Sequence, residues 1–122
     1  MHACSCSKAI AAFAEPEFQD CIVSKNLRQY TEHTKTSQKD LYAEFQKIAE
    51  RGFADCDQEI DMGIASVAAP VSIGNIGAIF SIGAVGPSRR FGEAYRNEIG
   101  AKLVELSSRV SGAIQLCNVP EL

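Results

Sequence analysis

Cys4 and Cys6 stand one residue apart just behind His2, and Cys56 offers a third thiol far along the chain. Thiolates and imidazole are the ligands zinc prefers, but structural zinc sites usually pair them as C-x-x-C. The C-x-C spacing fits small buried thiols at the start of an alanine-rich helix better. Cys6 at a helix N-terminus would have its thiolate stabilised by the helix dipole. A nucleophilic thiol also needs a base, and the only histidines, His2 and His33, have no acidic partner at a useful spacing. Further on, Asp55, Asp57, Glu59 and Asp61 alternate with other residues in DCDQEID. The pattern looks like the start of a calcium loop, yet Ile60 stands where the loop needs glycine and no glutamate closes it. Solvated turn or cap carboxylates are therefore expected. The strongest chemical signal is an anion seat. If Ser5, Cys6 and Ser7 form a first helical turn, their free backbone N–H groups can hold a carboxylate.

The elements that would position these residues follow from spacing. Ser5 or Ser7 caps a short helix through Ala14, and Pro16 opens a second that fades near Lys25 and Asn26. Leu27 to Lys35 reads as a surface connection with Tyr30 as its bulky anchor. Thr36 or Ser37 starts a third helix with Leu41, Phe45, Ile48 and Ala49 along one stripe, and Gly52 stops it. Phe53 and Ala54 enter a short strand. From Gly63 to Pro87 the sequence predicts a hairpin about a two-residue turn at Gly74 and Asn75. Its second strand, from Ile76, is uncharged on both faces, which predicts cover on both. Small residues at one end, among them Ala68 and Gly83, leave room for a helix or a ligand to approach the backbone. A last helix from Gly92 to Leu116, with Tyr95, Ile99, Leu103, Leu106, Val110 and Ile114 on one stripe, is long enough to cover a sheet face. These elements define an α+β class, an antiparallel sheet flanked by helices.

A chain of 122 residues with 46% hydrophobic and 22% charged residues is the size and composition of one globular domain. No stretch reaches the roughly 18 to 20 apolar residues of a membrane span, so no membrane partner is expected. Nothing at the N-terminus reads as a secretion leader. Five cysteines, an odd number, point to free thiols in a reducing compartment and hence the cytoplasm. A net charge of -3 and a pI near 5.3 argue against a nucleic-acid surface within these residues. Arg89 and Arg90 are the one basic pair, read as solvated or capping.

The order HACSCSKAIAAF, RGFA, an acidic segment, GIASVAAPV, a glycine turn and GAIFSIGAVGPSRR resembles the effector-binding domain of IclR-type bacterial transcriptional regulators over essentially the whole chain. The resemblance implies a GAF- and profilin-like sheet whose later part is present here, and a ligand sensor rather than an enzyme. It implies a homodimer or homotetramer that reaches DNA only through a winged helix-turn-helix domain with no counterpart in these residues. It carries over Ser5 and Cys6 as backbone donors to the effector, Cys56 and Asp57 from the acidic stretch, Ser66 on the first hairpin strand, and Gly83 and Val85 on the second. Ser66 stands where cysteine is frequent, and Gly83 and Val85 where some members carry hydroxyls. That implies a roomier, more apolar pocket for a small organic acid, aromatic or short-chain, with one carboxylate. No cofactor or metal is implied. The rival readings are a small thiol or metal enzyme built on Cys4, Cys6 and Cys56, and a structural oligomerisation domain. Absent first strands would leave a bare sheet edge that invites self-association.

Overall fold

Alanine, one proline and one glycine set the first three helices of the structure, a computed structural model that describes residues 2–74 and 76–117. Cys4, in extended conformation, occupies the N-cap of α1 (Ser5–Ala12), which buries Ser5, Lys8, Ala9, Ala11 and Ala12. Its small side chains let it lie close to the sheet. Pro16 opens α2 (Pro16–Val23) at a position where its missing N–H costs nothing, and Glu17 favours the positive end of the dipole. The Gln19 amide donates to the carbonyls of Ala11 and Ala12 and fastens α2 to the end of α1. Helix α3 (Gln38–Arg51) buries Leu41, Glu44, Phe45 and Ile48. Gly52 ends it at φ 88°, a left-handed conformation that glycine adopts without strain.

Three antiparallel strands follow in the spatial order β1 (Ala54–Asp57), β2 (Ile64–Ile73), β3 (Gly77–Pro87). Cys56 lies beside Ser66, and Ser66 beside Val85; Ala68 lies beside Gly83. Strand alternation divides the core in two. On one face Ala54 and Ala68 meet Ala9, Ile22, Leu41, Phe45 and Ile48 of the first three helices. On the other, Val67 and Ala69 meet Phe53 and Leu103 of α4 (Glu93–Cys117), with Ile82, Ile99 and Val104 packed around them. A short 3-10 turn, Ser88–Arg90, leads into α4 and leaves both arginines exposed. Among the described residues no helix is long and apolar enough to cross a membrane.

Three expectations need correction. First, β2 is covered on both faces, but β3 is an edge strand with Phe80 54% and Val85 70% exposed. The helices are centred on β2, and no described strand lies beyond β3. Second, Ile73 pairs with Gly77 and the Ile76 N–H donates to the Ile73 carbonyl, so the hairpin connection is longer than two residues and β3 begins at Gly77. Asn75, half of the expected turn, lies outside the described residues. Third, α4 turns Arg96, Gly100, Leu103 and Ser107 to the sheet, while Tyr95 and Leu106 of the expected apolar stripe stay exposed. The Phe53 ring dictates this rotation. A Cβ on Gly100 would stand 2.4 Å from that ring. The ring cannot easily retreat, because the Arg51 guanidinium lies 4.3 Å above it.

Gly100→Ala should therefore destabilise the fold by about 1–3 kcal/mol, seen as a lower urea midpoint. Gly112→Ala, where nothing lies within 4 Å, should raise the midpoint by the helix propensity gained, about 0.5–1 kcal/mol.

Candidate functional site

The first turn of α1 sits directly on the sheet. Ser5, 2% exposed, places its Oγ 2.7 Å from Ser66 Oγ. One residue on, Cys6 Sγ lies 3.1 Å from where a Cβ on Gly83 would be, and the Val67 carbonyl only 2.9 Å from it. Gly83 is glycine because the helix and the neighbouring strand leave no room for a side chain. Cys56, Ser66 and Val85 occupy one cross-strand row. Burial pushes the Cys56 thiol up, so it stays protonated near neutrality. The first main-chain bond of α1 runs from the Lys8 N–H to the Cys4 carbonyl, so the amides of Ser5, Cys6 and Ser7 lie ahead of the helical ladder. Six of the seven expected residues thus share one sheet face, running from the buried Ser5–Ser66 contact to exposed Val85. Asp57 does not join them. It follows Cys56 by one position, so alternation turns it to the α4 face, where its carboxylate lies 3.7 Å from Arg96.

The acidic run divides: Asp57 and Asp61 are exposed, as expected, while Asp55 and Glu59 are drawn into ion pairs, against expectation. Lys8 is 0% exposed and its ammonium donates to Glu44 Oε1 at 3.2 Å, the Asp55 carbonyl at 2.8 Å and Glu59 Oε2 at 2.9 Å. Three protons meet three acceptors. Burial alone would lower the Lys8 pKa, but Glu59 and Glu44 outweigh it and raise it. Asp55 takes Arg51 at 2.7 Å and Arg96 at 2.9 Å. Burial opposes its ionisation, yet those two hydrogen bonds hold its pKa down to about 2. The Thr34 hydroxyl closes the segment by donating to the Glu59 carbonyl. Sequence reasoning missed Lys8, Glu44 and Arg96. The available signal was a lysine inside the alanine face of α1.

A metal reading finds no support in the geometry. Among the described residues no three His, Cys, Asp or Glu side chains gather as a metal ion requires. His2 Nε2 donates to the Arg28 carbonyl at 2.7 Å and its ring stacks on Tyr30.

The fold that carries this turn is shared with known proteins. Residues 1–112 match the family described as bacterial transcriptional regulator IclR C-terminal, and the chain belongs to that family. The family is one of regulators rather than enzymes. No curated protein sequence matches. Among solved structures, IclR of Thermotoga maritima superposes with a TM-score of 0.85 at 25% identity, over 93% of this chain and 47% of that one. The repressor BlcR of Agobacterium tumefaciens gives 0.85 at 15%, over 92% and 46%. A double mutant of the PobR inducer-binding domain from Acinetobacter, in complex with 3-hydroxybenzoic acid, gives 0.77 at 18%, over 93% and 64%. The chain spans less than half the length of the first two.

The sign of the Asp55 effect follows from its depressed pKa. Its stabilisation is fully present above the ordinary value of 3.8 and is lost as pH falls through about 2. Asp55→Asn should lower stability at pH 7 by about 1–2 kcal/mol and flatten the acid limb of a stability–pH curve, measured by urea unfolding.

Proposed function

We propose that the chain is the sensing part of a cytoplasmic transcriptional regulator and binds a small organic acid beside the first turn of α1. The carrying observation is the placement of that turn, with Ser5 on Ser66 and Cys6 over Gly83. There the amides ahead of the helical ladder, the positive end of the dipole and the Cys56–Ser66–Val85 row converge. The carboxylate goes to the amides of Ser5 and Cys6. The apolar body extends along the row toward Val85, where the missing hydroxyls at Gly83 and Val85 favour an aromatic or short aliphatic group. A similarly folded inducer-binding domain holding 3-hydroxybenzoic acid supports this ligand class. Asp57, on the far face, contributes to the fold through Arg96 and not to this set. The effector shifts the balance between regulator conformations, and a DNA-reading domain outside these residues reports the shift.

The same reading makes the protein a homo-oligomer. β3 carries no charged residue from Gly77 to Pro87 and presents a free edge among the described residues. Natural edges are usually protected by charge, proline or bulges; here the bulge lies at Ile79 and the proline at the last position, so the uncharged run from Phe80 to Gly86 between them suits pairing with a second copy.

Calorimetry against a panel of small acids should give saturable heats for aromatic and short-chain monocarboxylates. Val85→Asp, a change at an exposed position, should weaken them roughly tenfold by placing a like charge beside the entry. Exclusive binding of polar sugar acids would overturn the assignment. Light scattering should show a dimer or larger species that Phe80→Lys shifts toward monomer; a clean monomer of the unmodified chain at high concentration would refute edge pairing.

A further inference from the structure

We propose that two copies of the chain pair along β3 with Gly83 facing Gly83, and that each lends the other's acid site the hydroxyl of Ser81. The inference rests on the acid seat described under the proposed function and adds the partner that completes it. The register follows from the main chain. The Ser88 N–H donates to the Gly63 carbonyl at 2.8 Å, and bonding alternates along an antiparallel strand. Gly86, Ala84 and Ile82 therefore bond to β2, and the N–H and C=O groups of Ser81, Gly83 and Val85 point outward from the edge. These three residues are symmetric about Gly83, and so are the features that end the run. The bulge at Ile79 lies four residues before Gly83, and Pro87, which has no N–H to give, lies four residues after it.

Turned about a two-fold axis at Gly83, a second copy sets Ser81 against the partner's Val85 and Ile79 against the partner's Pro87. All three outward residues then bond through both main-chain groups, and bulge and proline close the same ladder from opposite sides. A slip of two residues sets Pro87 against Ser81 in one direction, or Val85 against the bulge in the other, and leaves bonds unmade. On the α4 face the pairing brings Phe80, 54% exposed, beside the partner's Gly86. The bare α-carbon of Gly86 lies under the Phe91 ring, which a Cβ there would meet at 2.2 Å, so the exposed Phe80 ring gains an aromatic neighbour. On the α1 face the consequence falls on the acid site. The row Cys56, Ser66, Val85 ends at the edge, with Val85 70% exposed. Pairing extends the row by one position, the partner's Ser81, roughly 10 Å from Ser66 at two strand spacings. An acid held by the amides of Ser5 and Cys6 points its body at that hydroxyl, which selects a hydrogen-bonding group at the end away from the carboxylate. Ser81 of the same chain lies four residues from Val85, roughly 13 Å along the strand, and does not reach this position.

The test uses the full chain and two probe acids, phenylacetate and 4-hydroxyphenylacetate. Calorimetry should show the hydroxylated acid binding roughly tenfold more tightly, and Ser81→Ala should erase the difference. Val85→Phe, which fills the row and keeps the edge uncharged, should weaken both acids. Mixing the two variants should restore tight binding of the hydroxylated acid, because each mixed dimer has one site with Val85 from one chain and Ser81 from the other. In a dimer of mixed isotope labelling, NOEs should join Ile82 Hα of one chain to Hα of the partner's Ala84, a non-hydrogen-bonded pair in this register. No restoration on mixing, or NOEs in another register, would overturn the shared site. Slow exchange of the Ser81, Gly83 and Val85 amides in a monomer would place a different strand on the edge and overturn the pairing. Saturable binding of both acids by a monomer would also overturn it while leaving the acid seat standing. No heat from any acid would overturn the seat and with it the role of Ser81, and the NOEs would still decide the pairing.

Discussion

One buried ammonium joins the parts of this domain that must keep their relative places. Lys8 leaves the middle of α1 and bonds α3 through Glu44, β1 through the Asp55 carbonyl and the segment beyond β1 through Glu59. Breaking such a cluster by removing one member leaves an uncompensated buried charge, which typically costs roughly 3–5 kcal/mol, whereas a well-packed apolar core of the same shape can be as stable. The physical value of the cluster is geometric. It fixes how far along the sheet α1 lies, and so sets Ser5 against Ser66 and Cys6 against Gly83. Because the Lys8 pKa is raised, this hold is complete below the ordinary lysine value of 10.5 and weakens only as pH climbs through the folded one.

A second polar clasp works on the opposite face. Asp55 receives Arg51 from the end of α3 and Arg96 from the start of α4, so one carboxylate on the short strand β1 ties two helices that share little apolar surface. The Arg51 guanidinium also covers the Phe53 ring, and that ring fits against α4 only because Gly100 is bare. Polar and apolar packing are thus interlocked around β1, the shortest strand. The two clasps account for the inward carboxylates of this segment, Asp55 and Glu59, while Asp57 and Asp61 stay exposed.

Much of the architecture was legible in the sequence because it is local. Helical spacing located α1 to α4, Gly52 marked the end of α3, and uncharged runs located β2 and β3. What the sequence hid depends on partners far away along the chain. Glu59 reads as a solvated carboxylate until Lys8, 51 positions earlier, is brought beside it. The rotation of α4 was hidden for the same reason, since the bulky stripe lost to a small and polar one once Phe53 claimed the space at Gly100. Coverage of β3 was misjudged because apolar faces reveal an unwillingness to meet water but not which element meets them. Of the candidate site, the α1 turn was visible from its free amides, and the hairpin positions came from the family resemblance. The separation of Asp57 from Cys56 was available from strand alternation alone.

The bare backbone at Gly83 has a mechanical consequence. The Cys6 thiol and the Val67 carbonyl already close in on the Gly83 methylene, so the amino end of α1 cannot sink further into the sheet. A guest entering between them must tip that end upward. One turn below, the three bonds of Lys8 act as a fulcrum, so the lift is returned at the far end of the same rod, where Gln19 grips the carbonyls of Ala11 and Ala12. An acid bound as proposed at one end of this eight-residue helix would therefore be felt at the other, where α2 is fastened.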